Sequence, residues 1–165
     1  MNYSEDHSKV IKLNINFTQI QFDKSYESFG DFFILGDKQY FYDSRDMKIH
    51  ADRNNIVTKN YLNKQVVYND LAFEELNLFD ILSGNRKYIK FLMDKVDFNK
   101  FNFFIPTHGF KGYFLFEPRS GHLKLIFIEI NLNQSVSIDI NKIEILDDYL
   151  PEIEVDNFEV IDLRG

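Results

Sequence analysis

The sequence predicts a mainly β protein with short helices, built on one strongly curved antiparallel sheet or an open barrel. Three observations support this fold class. The chain is rich in strand-forming side chains, with 18 Phe and 9 Tyr against 7 Gly. Apolar and polar residues alternate over short runs, and Asn, Asp, Gly and Pro separate those runs.

The first part of the chain predicts six strands joined by tight polar turns. In the first strand Leu13, Ile15 and Phe17 alternate on one face, whereas Ile20 lies out of phase with them, as it would after a β-bulge. The six strands are predicted over residues 10–22, 29–35, 39–43, 47–52, 56–61 and 65–69.

The pattern changes after residue 70 from strands to short helices. Asp70 can cap a first helical stretch over residues 71–76, and Leu78, Ile81 and Leu82 have the i, i+3, i+4 spacing of a second helix that ends near Gly84. Residues 86–94 fit a helix and a strand equally well. These short helices are the internal material available to cover one side of the sheet.

Strands return in the last third of the chain, where turn residues again separate alternating runs. Pro118 and Gly121 occupy positions that suit a type I or II turn. The strands are predicted over residues 102–106, 113–117, 123–132, 135–146 and 158–163. At 165 residues the chain suits one domain, and we expect residues 1–8 to form a disordered tail and residues 9–165 a single domain.

Charge and composition exclude several classes of protein. The net charge of −7, without a basic stripe, argues against nucleic-acid binding and against tight residence on an anionic membrane. Without cysteine, the chain has no disulfide, no thiol nucleophile and no Cys-type zinc site. No apolar run approaches the ~18 residues of a transmembrane helix, and the polar start is unlike a signal peptide. The protein is therefore either cytoplasmic or a secreted protein whose signal peptide was removed.

Candidate chemical groups are sparse and do not form a known motif. None of His7, His50, His108 and His122 has metal-ligand spacing to another His or to a carboxylate. No nucleophile elbow, P-loop or dinucleotide fingerprint is present. We therefore predict no catalytic residue, no metal site and no cofactor, and a protein that is not an enzyme.

The remaining signal is the apolar content, which has two interpretations. It fills an ordinary core, or it lines a cavity between a curved sheet and a thin helical cover. The predicted cavity-lining residues are Phe17, Phe33, Tyr40, Tyr42, Ile49, Val57, Tyr61, Val66, Leu78, Leu82, Phe103, Ile105, Phe116, Leu125, Phe127 and Ile138.

A series of short motifs, taken in order, resembles the outer-membrane lipoprotein carrier family, the LolA-like periplasmic lipoprotein chaperones. The resemblance covers roughly residues 17–164. The motifs are Phe17-Thr-Gln19, Gly30-Asp-Phe-Phe33, Tyr40-Phe-Tyr42, Asp52-Arg-Asn-Asn-Ile-Val-Thr-Lys-Asn-Tyr61, Asn63-Lys-Gln-Val-Val67, the segment 78–84, and Phe158-Glu-Val-Ile-Asp-Leu-Arg164.

The resemblance implies a half-open barrel with a helical lid and an apolar cavity for lipoprotein acyl chains. It implies a soluble, monomeric carrier in the periplasm, with its signal peptide removed and no part in nucleic-acid binding. Such a carrier shuttles lipoproteins from an inner-membrane lipoprotein-releasing complex to an outer-membrane acceptor. The alternative is an envelope-stress or partner-binding protein of the same fold that docks a peptide or lipid without transport. Gly36-Asp37 stand about where well-known members have the Arg-Pro pair that fastens the lid, which puts the lid mechanism in doubt for this chain.

Overall fold

A computed structural model describes residues 9–36, 39–70, 89–93, 97–147 and 151–165, and each regular element in these residues is a β-strand. The mainly β prediction is confirmed. The strands are β1 (Lys9–Gln21), β2 (Lys24–Leu35), β3 (Gln39–Ser44), β4 (Met47–Ala51), β5 (Asn55–Asn60), β6 (Gln65–Asp70), β7 (Lys90–Phe91), β8 (Lys100–Ile105), β9 (Phe110–Phe116), β10 (Leu123–Asn131), β11 (Gln134–Asp147) and β12 (Glu159–Asp162).

The hydrogen-bonded strand order is β12-β6-β5-β4-β3-β2-β1-β11-β10-β9-β8-β7. Neighbours joined by hairpins pair antiparallel, as predicted. The pairing of β12 with β6 is parallel, with Glu159 opposite Gln65, so the prediction of a wholly antiparallel sheet is wrong at this edge. A parallel pair needs a long connection, and most of the chain lies between these two strands.

The chain divides into two compact units, to each of which β1, β2 and β11 contribute part of their length. Among the described residues, unit 1 contains 9–14, 29–36, 39–70, 142–147 and 151–165, and unit 2 contains 15–28, 89–93 and 97–141. The single-domain organisation of residues 9–165 stays a prediction. The predicted tail, residues 1–8, lies outside the described residues.

Unit 1 is dominated by the meander β3–β6, whose tight turns are closed by polar side chains. The Ser44 hydroxyl donates to the Met47 carbonyl oxygen (3.0 Å) and accepts from the Met47 N–H (3.2 Å). The Asp52 carboxylate accepts the N–H groups of Asn54 and Asn55, both at 2.8 Å. This is the Asx-type turn that favours Asp at a hairpin, and it places the β4–β5 turn where the sequence predicts it.

Both faces of the unit 1 strands carry buried aromatic residues. On one face Val10, Phe33 and Phe41 form a core cluster, against which Leu35, Leu146 and Ile153 pack. On the other face Phe32 stacks on Tyr40 with ring centroids 5.3 Å apart, and Tyr42 is also buried. Runs that are apolar on both faces explain why Phe32-Phe33 and Tyr40-Phe41-Tyr42 break the simple alternation of a half-exposed strand.

Unit 2 is built on the meander β8–β11, with β7 at one edge. The Phe22 N–H donates to the Asn133 carbonyl oxygen at 2.7 Å, which joins the β1–β2 turn to the β10–β11 turn. β1 continues to Gln21 and leaves Ile20 exposed. The bulge predicted in this strand stays a prediction.

Several predicted boundaries differ from the structure. β2 begins at Lys24, five residues earlier than predicted, and the ambiguous segment 86–94 contains a strand, β7. The predicted helices over 71–84, and with them the helical lid, lie outside the described residues. The half-open barrel stays a prediction.

Candidate functional site

One face of unit 2 is apolar across neighbouring strands. Residues directly opposite each other in an antiparallel pair share a face, and the register puts Phe91 opposite Phe103, Phe103 opposite Gly112, and Phe114 opposite Ile126. We call this surface the phenylalanine face. Its members are Phe91, Phe101, Phe103, Ile105, Phe110, Gly112, Phe114, Phe116, Ile126, Ile128, Val136 and Ile138.

The aromatic rings on this face form a connected group. The Phe103 and Phe114 ring centroids are 4.8 Å apart, the Phe91 and Phe114 centroids 6.0 Å apart, and the Phe101 ring meets Phe116 edge-on at 5.4 Å. Such separations are favourable for aromatic pairs. Burial decreases along the face from Phe103, which is fully buried, to Phe101, which is 48% exposed. The group therefore extends from the interior of unit 2 to its surface.

Gly112 makes room for this ring packing. A Cβ atom on Gly112 would lie 2.6 Å from Cζ of Phe103 and against the carbonyl oxygen of Phe127. Glycine at this strand position thus permits the Phe103 ring to lie over the backbone of β9, a recognised use of glycine beneath a cross-strand aromatic residue.

The opposite face of the same strands is mixed in character. Tyr113 stacks on Phe127 with centroids 5.2 Å apart, and Nζ of Lys100 lies 4.2 Å from the Tyr113 ring centroid. Glu129 pairs across strands with Lys111 on this face, and both are exposed. The phenylalanine face is apolar at each of its positions, whereas the opposite face carries charged residues beside its aromatic and aliphatic ones.

In unit 2 the structure brings four of the predicted cavity residues together on one face and places two others on the opposite face. Phe103, Ile105, Phe116 and Ile138 lie on the phenylalanine face, whereas Leu125 and Phe127 lie on the opposite one. Phe17 is half-buried in β1, two residues beyond buried Ile15.

In unit 1 the predicted cavity residues also divide between two faces. Tyr40, Tyr42 and Ile49 share one face, since Tyr42 is opposite Ile49. Phe33, Val57 and Val66 lie on the other, where Phe33 is opposite Phe41 and packs in the core cluster. The described members of the predicted set therefore do not share one face within either unit. Leu78 and Leu82 lie outside the described residues.

Tyr61 belongs to a different arrangement, built around buried Lys59. Nζ of Lys59 donates to the Glu154 carbonyl oxygen at 2.5 Å and to Oδ2 of Asp156 at 2.6 Å, and it lies 4.6 Å from the Phe158 ring centroid. The Tyr61 ring meets Phe158 edge-on at 5.7 Å. Lys59 is 3% exposed. These contacts hold residues 154–158 against β5 and lead the chain into β12.

Sequence reasoning missed eight members of the face, which are Phe91, Phe101, Phe110, Gly112, Phe114, Ile126, Ile128 and Val136. The signal was present as period-two alternation, since Phe101, Phe103 and Ile105 are two residues apart, as are Phe110, Gly112, Phe114 and Phe116. The predicted strand began at residue 113, and this late start concealed the repeat.

The polar groups of the described residues form local pairs. His50 is half-buried, with Nε2 3.3 Å from Oε1 of Gln39 and its ring centroid 6.2 Å from that of Phe41. No group of three His, Asp or Glu within the described residues could hold a metal ion. Within the described residues no helix is long and apolar enough to cross a membrane.

Two carboxyl groups of unit 1 show distinct electrostatic environments. Partial burial acts to raise the pKa of Asp52, but the N–H groups of Asn54 and Asn55 outweigh this effect and lower that pKa. Hydrogen bonds from the Arg164 side chain and then from its N–H lower the pKa of Asp162 to about 2. Neither group lies on the phenylalanine face, and both act on local structure.

Comparisons with known proteins give the fold and no family. No family model matches the chain, and no curated protein matches it in sequence. The chain is similar in structure to an uncharacterized conserved protein from Thermus thermophilus, at 8% identity and a TM-score of 0.54, over 94% of this chain and 91% of that one.

A LolA superfamily protein from Nitrosomonas europaea is also similar, at 8% identity and a TM-score of 0.45, over 93% of this chain and 90% of that one. The first likeness shows the fold alone, and the second is too weak to carry an argument. Membership of the lipoprotein carrier family stays a prediction.

Proposed function

We propose that this protein is a non-enzymatic carrier that binds acyl chains on the phenylalanine face of unit 2. The observation that carries the proposal is the register of β7–β11, which places apolar side chains and one glycine on the same face. This face includes both fully buried Phe103 and half-exposed Phe101. Burying one CH₂ group yields about 0.8 kcal/mol. A face without polar side chains can hold an acyl chain without fixing its head group.

The ordered motifs between residues 17 and 164 support a more specific form of this proposal. In that form the acyl chains belong to lipoproteins, the carrier works in the periplasm, and its partners are an inner-membrane releasing complex and an outer-membrane acceptor. The face accounts for acyl binding alone. Transport, location and partners depend on the resemblance.

The proposal is tested by displacement of a fluorescent fatty acid with palmitate. The chain has no Trp, so protein fluorescence interferes little with the probe. We expect the wild-type protein to bind the probe and to release it to palmitate. Phe101→Ser should weaken binding, because it removes a partly exposed ring next to Phe116.

Phe29→Ser is the matched control, since Phe29 is also exposed but lies in unit 1. An absence of probe binding by the wild-type protein contradicts the proposal. Equal losses in the two variants contradict the assignment to this face. Competition by an apolar peptide without competition by palmitate favours the partner-docking alternative.

A further inference from the structure

The edge of unit 2 formed by β7 and the start of β8 exposes a group of large apolar side chains. Met93 is 96% exposed and Phe98 is 94% exposed, and Phe91, Leu92 and Phe101 are each about half exposed. We call these five residues the apolar rim. Contiguous exposed apolar groups of this kind mark sites that bind a protein or a membrane.

Lysines outnumber the described carboxylates beside the rim, in contrast to the chain as a whole, whose net charge is −7. Lys90 and Lys100 lie on β7 and β8, and Lys111 lies on β9 opposite Glu129. Asp97 is the acidic residue described between β7 and β8. Lys90 and Lys111 both pair with Phe104, on the face opposite to Phe91 and Phe101. Apolar side chains on one side and lysines on the other are typical of segments that lie in a membrane interface.

The geometry of this edge disfavours a protein strand as the occupant. β7 is the last strand in the hydrogen-bonded order, is two residues long and carries Lys90. Short edge strands with lysine hinder pairing with a further strand. This edge is therefore less suited to pairing with a second copy of the chain or with an added peptide strand than to a surface into which individual side chains insert.

We propose that the apolar rim attaches the protein reversibly to an anionic lipid bilayer. Met93 and Phe98 enter the interface between head groups and acyl chains, and Lys90, Lys100 and Lys111 face the anionic head groups. The negative charge of the rest of the chain opposes this attachment and keeps it reversible. The inference goes beyond the proposed function and does not depend on acyl binding.

Vesicle flotation of the full chain tests the inference. We expect binding to vesicles of equimolar phosphatidylcholine and phosphatidylglycerol, with less binding to phosphatidylcholine alone and less at high salt. The double variant Met93→Ser, Phe98→Ser should lose about tenfold in binding to the mixed vesicles, because two inserted side chains are removed. Lys90→Glu with Lys111→Glu should weaken binding to the mixed vesicles and leave the weak binding to phosphatidylcholine unchanged.

The matched control is Leu62→Ser with Leu132→Ser, since both leucines are almost fully exposed in turns elsewhere. It should bind vesicles like the wild-type protein. Failure of the wild-type protein to float with mixed vesicles, or equal losses in rim and control variants, overturns the inference. So does wild-type self-association that the rim variant abolishes while vesicle binding is unchanged. Displacement of the fluorescent fatty acid is measured without vesicles, so either proposal can fail alone.

Discussion

At the scale of single residues, Gly112 decides whether the phenylalanine face can form. Its missing side chain leaves room for the Phe103 ring, and the backbone of the neighbouring strand lies on the other side of that space. The strand cannot move away without breaking its pairing with β8 and β10. A single methyl group at this position therefore disturbs both the ring and the backbone.

Gly112→Ala should lower the free energy of unfolding by about 2 kcal/mol, the typical cost of an overpacked interior. Urea denaturation followed by far-UV circular dichroism measures the change. Gly165→Ala is the control, because nothing lies within 4 Å of a Cβ atom there. Equal stability of Gly112→Ala and the wild-type protein would show that the Phe103 ring can move aside freely.

Asp162 gives a prediction about pH at the same scale. Its pKa of about 2 is lower in the folded state than the ordinary value of 3.8. The stabilising effect of the Asp162–Arg164 pair is therefore complete above pH 3.8 and is lost as the pH falls towards 2. NMR titration of the Asp162 carboxyl carbon should give a midpoint near 2, and Arg164→Gln should return it towards 3.8. A midpoint that Arg164→Gln leaves unchanged would contradict the assigned cause.

At the scale of elements, buried Lys59 links residues 154–158 to β5 and so prepares the parallel pairing of β12 with β6. The ammonium group meets a carbonyl oxygen, a carboxylate and the Phe158 ring. Hydrogen bonds from the Glu159 N–H to Lys64 and from the Leu163 N–H to Tyr68 then hold the strand at both ends. The edge strand depends on this attachment because β12 is only four residues long.

Lys59→Met should destabilise the protein by about 2 kcal/mol, less than the full cost of breaking a buried ion pair because Asp156 is half exposed. Hydrogen exchange should quicken most at residues 159–163. Lys48→Met is the control, since Lys48 is opposite Lys59 but pairs with Asp43 on the surface at 3.6 Å, where an ion pair contributes little. Equal exchange rates at residues 159–163 in Lys59→Met and in the wild-type protein would contradict the linking role of Lys59.

The same elements show how much of the fold could be read from sequence. Hairpins such as β4–β5 were predictable because Asp52 and the two asparagines encode the turn locally. The parallel β12–β6 pair was not, because it depends on a partner distant in sequence and on the Lys59 contacts. The faces were assigned poorly where strands such as β3 are apolar on both sides, since alternation then gives no direction.

At the scale of the whole molecule, the net charge of −7 and the apolar phenylalanine face would affect different parts of the proposed acyl ligand. A fatty acid carries a carboxylate that an acidic protein repels weakly through water. Its acyl chain gains free energy from each CH₂ group removed from water. Because the described face has no polar side chain to receive a head group, the length of the acyl chain should control affinity.

We therefore expect the affinity for saturated fatty acids to rise about fourfold for each added CH₂ group, until the face is filled, since about 0.8 kcal/mol corresponds to that factor. Fatty alcohols of equal length should bind at least as tightly as the acids. Calorimetric titration of a chain-length series measures both trends, and the Phe101→Ser variant should flatten the first. An affinity that depends on the head group and not on chain length would show that the protein recognises a polar group, and would contradict an acyl carrier that works through this face.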